Sequence, residues 1–217
     1  MTLATPGYAP PSDNSLDPLY CDDALLVVNK PAGLLAVPGR GADMQDCLSA
    51  RLRHEFPDAL TVHRLDMATS GLMVFARSAE MQRWLSQLFR ERLVTKRYTA
   101  LAAGKVEAAG EVDLPIAADW PNRPRQMIDP VMGKPSLTRY RLLAYDIATD
   151  VSRLELEPVT GRTHQLRVHM AAFGHPIMGD ALYGGHAAAR LMLHATALSF
   201  AHPLGGELLF LRCDPPF

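Results

Sequence analysis

Leu72-Met73-Val74-Phe75-Ala76 follows directly on the turn formers Thr69-Ser70-Gly71, and no other junction limits the possible folds as strongly. Five unbroken apolar residues behind a turn have the length and composition of a buried strand. Thr69 and Ser70 carry hydroxyls that bond nearby backbone, and Gly71 tolerates positive φ. Just ahead stand His63, Arg64 and Asp66. A carboxylate and a guanidinium before a buried strand lie at the rim of a core, where loops carry function.

The remaining elements group around that strand. Leu25 to Pro31 reads as a short buried strand stopped by Pro31, with a turn at Gly33. Met44, Leu48 and Leu52 space a helix from near Asp43 to Phe56, before Pro57. A second helix is expected from Ser78 to Arg92. There Met81, Trp84, Leu85, Leu88 and Phe89 form one apolar stripe, and Ser78 caps the start. Strands are expected at Val94–Ala102, Leu137–Tyr145 and Val151–Glu157, the last two joined by a turn at Thr149-Asp150. Ala197–Ala201 and Glu207–Leu211 flank His202-Pro203-Leu204-Gly205-Gly206 as a hairpin. Strands outnumber helices, and the connections are too short for regular strand-helix-strand crossovers. The expected class is α+β, a mostly antiparallel mixed sheet with packed helices. Residues 1–18, rich in Pro, Ser and Asp, read as an N-terminal arm, and 19–217 as one domain.

Composition narrows the function classes. With 217 residues, 48% hydrophobic and 21% charged, the balance is that of a soluble globular chain. No stretch reaches the roughly 18 to 20 uninterrupted apolar residues of a membrane span. The N-terminus lacks the pattern of a signal peptide. Cys21, Cys47 and Cys213 are odd in number and widely spaced, which favours a reducing, cytoplasmic setting over a disulfide framework or thiolate metal site. The net charge of −1 gives no support for nucleic-acid binding, but the distribution is uneven. Arg83, Arg90, Arg92, Lys96 and Arg97 cluster with only Glu91 among them, and Arg123, Arg125, Lys134, Arg139 and Arg141 with only Asp129. Such segregation makes either a phosphate-contacting face or two solvated faces. A P-loop, a Gly-x-Gly-x-x-Gly string and metal-type His spacing are all missing from the sequence.

His63-Arg64-Leu65-Asp66-Met67-Ala68-Thr69-Ser70-Gly71 resembles the His-Arg-Leu-Asp-x-x-Thr-Ser-Gly signature of the RluA-type pseudouridine synthases. Three further strings resemble that family: Gly161-Arg162-Thr163-His164-Gln165-Leu166-Arg167-Val168-His169, Lys96-Arg97-Tyr98 and Leu193-His194-Ala195. Asn29-Lys30-Pro31-Ala32-Gly33 also matches a family segment, but on its residues it is a strand end and a turn.

The resemblance implies an isomerase that breaks the C1′–N1 bond of a uridine in RNA, turns the base and rejoins it through C5. It implies Asp66 as the reacting carboxylate, either a nucleophile at C1′ or a base on the sugar. Arg167 is implied as the cation that keeps Asp66 ionised, and Tyr98 as the ring that stacks on the uracil and accepts the C5 proton. Arg64 is implied to hold the flipped nucleotide. His63 and Arg162 are expected to support substrate binding, and Leu193 to line the pocket. No cofactor or metal is expected, because no hydride, electron or phosphoryl group moves. About 20 residues precede the first strand, too few for the S4-type RNA-binding domain of many relatives. With Asp119-Trp120-Pro121-Asn122-Arg123-Pro124 and Gly133-Lys134-Pro135, this resembles the short, dual-specificity branch acting on a 23S rRNA hairpin and the tRNA anticodon loop. The expected partner is RNA, with the chain a monomer. A non-catalytic RNA-binding module of the same fold fits the basic clusters equally well. It does not account for Asp66, Tyr98 and Arg167 together.

Overall fold

The computed structural model describes residues 7–12, 16 and 18–217. Elements follow in the order β1 (Tyr20–Cys21), β2 (Leu25–Lys30), α1 (Leu48–Glu55), β3 (Leu60–Thr61), β4 (Ser70–Ala76), α2 (Ala79–Glu91), β5 (Thr95–Ala103), β6 (Ala109–Asp113), β7 (Ile116–Ala118), β8 (Gln126–Ile128), β9 (Leu137–Asp146), β10 (Val151–Pro158), α3 (Gln165–Ala172), β11 (Leu193–Ala201) and β12 (Leu208–Arg212). The class is α+β, as expected, and the described pairings within each unit are antiparallel. Two compact units divide the chain, Met1–Ser86 and Gln87–Phe217, the boundary falling inside α2.

In the first unit β2 pairs with β4 from Leu25↔Ala76 to Lys30↔Gly71, β1 extends the sheet beyond β2, and β3 pairs with the last two residues of β4. All seven β4 residues are buried, so the apolar run forms a strand covered on both faces. The expected helix over 43–56 divides into a 3-10 turn, Ala42–Met44, and α1. Cys47 between them is extended (φ −157°). The Leu48 and Ser49 N–H groups donate to the Leu35 and Ala36 carbonyls at 2.8 and 3.2 Å. Those two donors of the first turn thus find partners in a distant loop, and the helix begins there.

In the second unit the sheet order is β12-β11-β5-β10-β9-β6. Strict alternation along β10 buries Ser152, Leu154, Leu156 and Pro158. Cross-strand neighbours share a face, which sets the two surfaces of this sheet. Tyr98 lies opposite Leu156 on one side and Ala195 on the other, and Ala100 opposite Leu154 and Leu193. α3 packs on this apolar face, with the Phe173 and Tyr140 rings 5.1 Å apart and His169 bonded to Thr138 Oγ1 and the Leu114 carbonyl.

The opposite face carries an ion-pair ladder. Arg97 meets Glu157 at 2.7 Å, Arg141 meets Glu155 at 3.1 Å, and Arg139 meets Glu111 at 2.8 Å. Strand register sets a glutamate against each of these three guanidinium groups, which favours the solvated-face reading for them. The hairpin at 202–206 forms as expected, with Ala201 opposite Leu208. A two-stranded ribbon, β7–β8, has no counterpart in the sequence reading, its strands being three residues each.

Candidate active site

The loop before β4 is held chiefly by backbone carbonyls. Lys30, at the end of β2, is wholly buried. Its Nζ donates to the carbonyls of Pro31 at 2.9 Å, Leu34 at 2.7 Å and Met67 at 3.0 Å. An ammonium has three donors, so this arrangement fixes two chain segments around one point charge. The Gly33 N–H adds a second bond to the Met67 carbonyl at 2.9 Å, and the Thr69 N–H closes the turn on the Asp66 carbonyl at 3.1 Å. The two peptide units that follow Asp66 are therefore both tied down, and its side chain is half-buried at the mouth of β4. Arg64 is exposed, while Leu65 turns into the core at 7% exposure. The His63 ring points back to β4, where Nε2 accepts the Val74 N–H at 3.0 Å. Gly71, opening the strand, has φ 114°, a conformation costly for any residue with a Cβ.

In the second unit Tyr98 projects half-buried from β5, on the apolar face. Its cross-strand neighbour Ala195 lies beside a β-bulge at Thr196, whose hydroxyl donates to Thr99 Oγ1 at 2.9 Å. Bulges re-aim neighbouring side chains and are common next to active sites. Leu193 is 3% exposed and lies opposite Ala100, two pairs along from Tyr98. Lys96 shares the Tyr98 face and lies near the turn at Gly161. Burial, then the charge of Arg92, pulls its ammonium below the usual lysine range against the opposing pull of Glu157.

Arg167, on α3, is 5% exposed. Its Nε and Nη2 grip both oxygens of Asp180 at 2.8 Å, a bidentate fork, and its guanidinium carbon stands 5.2 Å from the centre of the Tyr183 ring. Burial pushes the Asp180 carboxyl upward, but the bonds and charge of Arg167 and the Leu182 and Tyr183 N–H groups outweigh it and hold the group below the usual carboxylate range. α3 starts from His164 in the left-handed region, φ 55°, with Nδ1 2.7 Å from the Tyr183 hydroxyl. The Gln165 side chain bonds Thr160, Arg162 N–H, the Leu137 carbonyl and Thr138. Arg162 itself stays half-buried on the turn, its Nε and Nη2 each 3.4 Å from the Pro135 carbonyl.

Three residues that matter here were not singled out as functional in the sequence. Lys30 lies in a string visible as a strand end, and nothing local marks its side chain as buried. Asp180 and Tyr183 lie in Met178-Gly179-Asp180-Ala181-Leu182-Tyr183-Gly184-Gly185, whose glycines were the available signal. Gly179 has φ 74°, and a Cβ there would fall 1.9 Å from the Arg190 carbonyl oxygen. A loop wound that tightly has a structural purpose, in this case presenting Asp180 to α3.

Comparison with known proteins identifies the family. Residues 24–172 match the family described as RNA pseudouridylate synthase. The chain is 46% identical over 215 residues to the dual-specificity RNA pseudouridine synthase RluA of Escherichia coli K12, covering 97% of this chain and 98% of that protein. It is also 46% identical over 220 residues to RluA of Pasteurella multocida, covering 99% and 100%. Among solved structures, human RNA pseudouridylate synthase domain containing 1 superposes with a TM-score of 0.78 at 34% identity, covering 96% of this chain and 87% of that one. The family match spans most of the chain and the relatives are matched nearly end to end, so the chain belongs to the RNA pseudouridylate synthase family.

Proposed function

We propose that this protein isomerises uridine to pseudouridine in more than one RNA, a 23S rRNA hairpin and the tRNA anticodon loop. The near full-length identity to dual-specificity synthases carries this reading, and the short loop strings around Trp120 and Lys134 support it. Membership of a synthase family and the retained trio Asp66, Tyr98 and Arg167 weigh against a non-catalytic RNA-binding module.

Asp66 supplies the carboxylate, either attacking C1′ or removing a sugar proton. The clamps on Met67 and Gly33 support this role, since a reacting group must be held in place before substrate arrives. Tyr98 supplies the ring for the uracil and accepts the proton lost from C5 after reattachment. Arg167 supplies the guanidinium, already oriented by Asp180. Arg64 holds the nucleotide once it has left its stack, with His63, Arg162 and Leu193 in support. The chain acts as a monomer in the cytoplasm and takes no cofactor.

The test is pseudouridine formation in two short RNAs, an anticodon stem-loop and a 23S rRNA hairpin, with wild type and Asp66→Ala side by side and binding measured on the same samples. Product on both hairpins from wild type, with none from the variant at retained affinity, is the expected result. Product on one hairpin alone would remove the dual specificity, and tight binding without product on any RNA would leave the binding module.

A further inference from the structure

The second unit contains a cleft beside the ribbon of β7 and β8. β7 and β8 pair from Ile116↔Ile128 to Ala118↔Gln126, and Lys134 exchanges two backbone bonds with Ile116 at 2.8 and 3.0 Å. The loops at 119–124 and 133–135 are thereby built into one ribbon. Between it and the turn at Gly161–Thr163 opens a cleft of about 780 Å³, within the range of sites that hold small ligands.

Its lining combines exposed apolar side chains with cations. Trp120 and Met132 are 68% and 78% exposed, large apolar side chains left in water at the wall of one concavity. Lys134 and Arg162 also line it, and Arg123 lies over the Trp120 ring at 3.4 Å from the centroid. The nearby carboxylates are engaged locally. Asp129, on the wall, accepts the Val131 and Met132 N–H groups at 2.9 and 3.0 Å, and Asp119 accepts from the Asn122 amide. An exposed aromatic ring beside cations is the chemistry that binds single-stranded nucleic acid, stacking for the base and charge for the phosphate.

We propose that this cleft receives an unpaired nucleotide of the RNA substrate other than the uridine being isomerised. The base stacks on Trp120, and the adjoining phosphates meet Lys134 and Arg162. The proposal rests on RNA being the substrate. It also assigns a purpose to the exposed residues of the ribbon.

Trp84 and Trp120 are the two tryptophans of the chain, so Trp84→Phe leaves Trp120 as its sole tryptophan, excited selectively at the red edge of the absorption band. This variant is titrated with an anticodon stem-loop RNA, a 23S rRNA hairpin and a blunt RNA duplex of equal length, and turnover is followed in parallel. The expected result is quenching by the stem-loops and not by the duplex. Trp120→Ala is expected to raise KM on the order of tenfold with kcat within about twofold. Lys134→Ala, which leaves the ring in place, should reduce the slope of log affinity against log salt by about one. Turnover without any change in Trp120 fluorescence, or quenching by duplex as strong as by stem-loop, would overturn the proposal. Quenching by the stem-loops with no product from wild type would sink the synthase reading and leave the cleft standing.

Discussion

The ammonium of Lys30 donates to the carbonyl of Met67 at 3.0 Å, so a wholly buried cation at the end of one strand holds the residue that follows Asp66. A charge buried on three carbonyls is costly to take out of water and costly to remove once its partners depend on it.

Lys30→Met keeps the length of the side chain and removes its donors. Pro31, Leu34 and Met67 each lose a bond, and a loss of roughly 3 kcal/mol follows from carbonyls left short of partners. The urea midpoint should drop, and amide exchange at Gly33, which donates to the same Met67 carbonyl, should accelerate more than exchange in β10. Unchanged exchange at Gly33 would show that Lys30 does not hold the loop.

Asp180→Asn breaks the charge balance of a pair whose side chains are 6% and 0% exposed. Breaking a buried pair by altering one partner costs about 3 to 5 kcal/mol. If Asp180 positions Arg167 for the reaction, kcat should fall at least tenfold in the fraction that remains folded, with KM little changed. A variant that is merely less stable, with full kcat per folded molecule, would confine Asp180 to a structural role.

Stability should fall on the acid side. Burial lowers His194 from 6.5 to about 4, against the opposing pull of its bond to the Cys213 carbonyl, and burial also lowers His169. In both cases the unfolded chain takes up the proton first. Their contribution is complete above pH 6.5 and is lost as pH falls through the folded values. For His194 that amounts to about 3 kcal/mol between pH 6.5 and 4. The lowered Asp180 carboxyl acts in the same direction, losing its contribution as pH falls below the ordinary carboxylate range. Urea midpoints should stay level from pH 7.5 to 6.5 and decline from there to pH 4, less steeply in His194→Gln. A flat profile for wild type would contradict the burial argument.

Tyr183→Phe removes a hydroxyl that accepts the Gln126 N–H at 2.8 Å and meets His164 Nδ1 at 2.7 Å. It therefore unties β8 from the start of α3. A loss of about 1 to 2 kcal/mol is expected, with faster exchange at Gln126 as the local signature.

Arg139→Ala and Arg141→Ala test the sheet face. Both guanidinium groups are exposed and paired with glutamates, so RNA affinity and its salt dependence should match wild type. A reduced salt slope in either variant would return this face to the RNA-binding surface.

The sequence by itself determined what depends on near neighbours along the chain. Apolar run length gave the buried strand at Leu72–Ala76, period two gave β10, and the spacing of Met81, Trp84, Leu85, Leu88 and Phe89 gave α2. Each is a pattern whose physical cause, the direction of successive side chains, acts within a few residues. The motif strings around Asp66, Tyr98 and Arg167 were legible in the same way, and they sufficed to name the family. Tertiary structure alone decided which charges meet. Arg97 counted in one basic cluster and Arg139 and Arg141 in another until strand register set them against Glu157, Glu111 and Glu155. Arg167 acquired Asp180, and the carbonyl of Met67 acquired a lysine 37 residues away. Short strands such as β7 and β8 carry too few residues to impose a period, and their pairing depends on the loops that return them to each other. Charge and hydrogen bonding act through space, and the distance that matters to them is fixed only when the chain has closed.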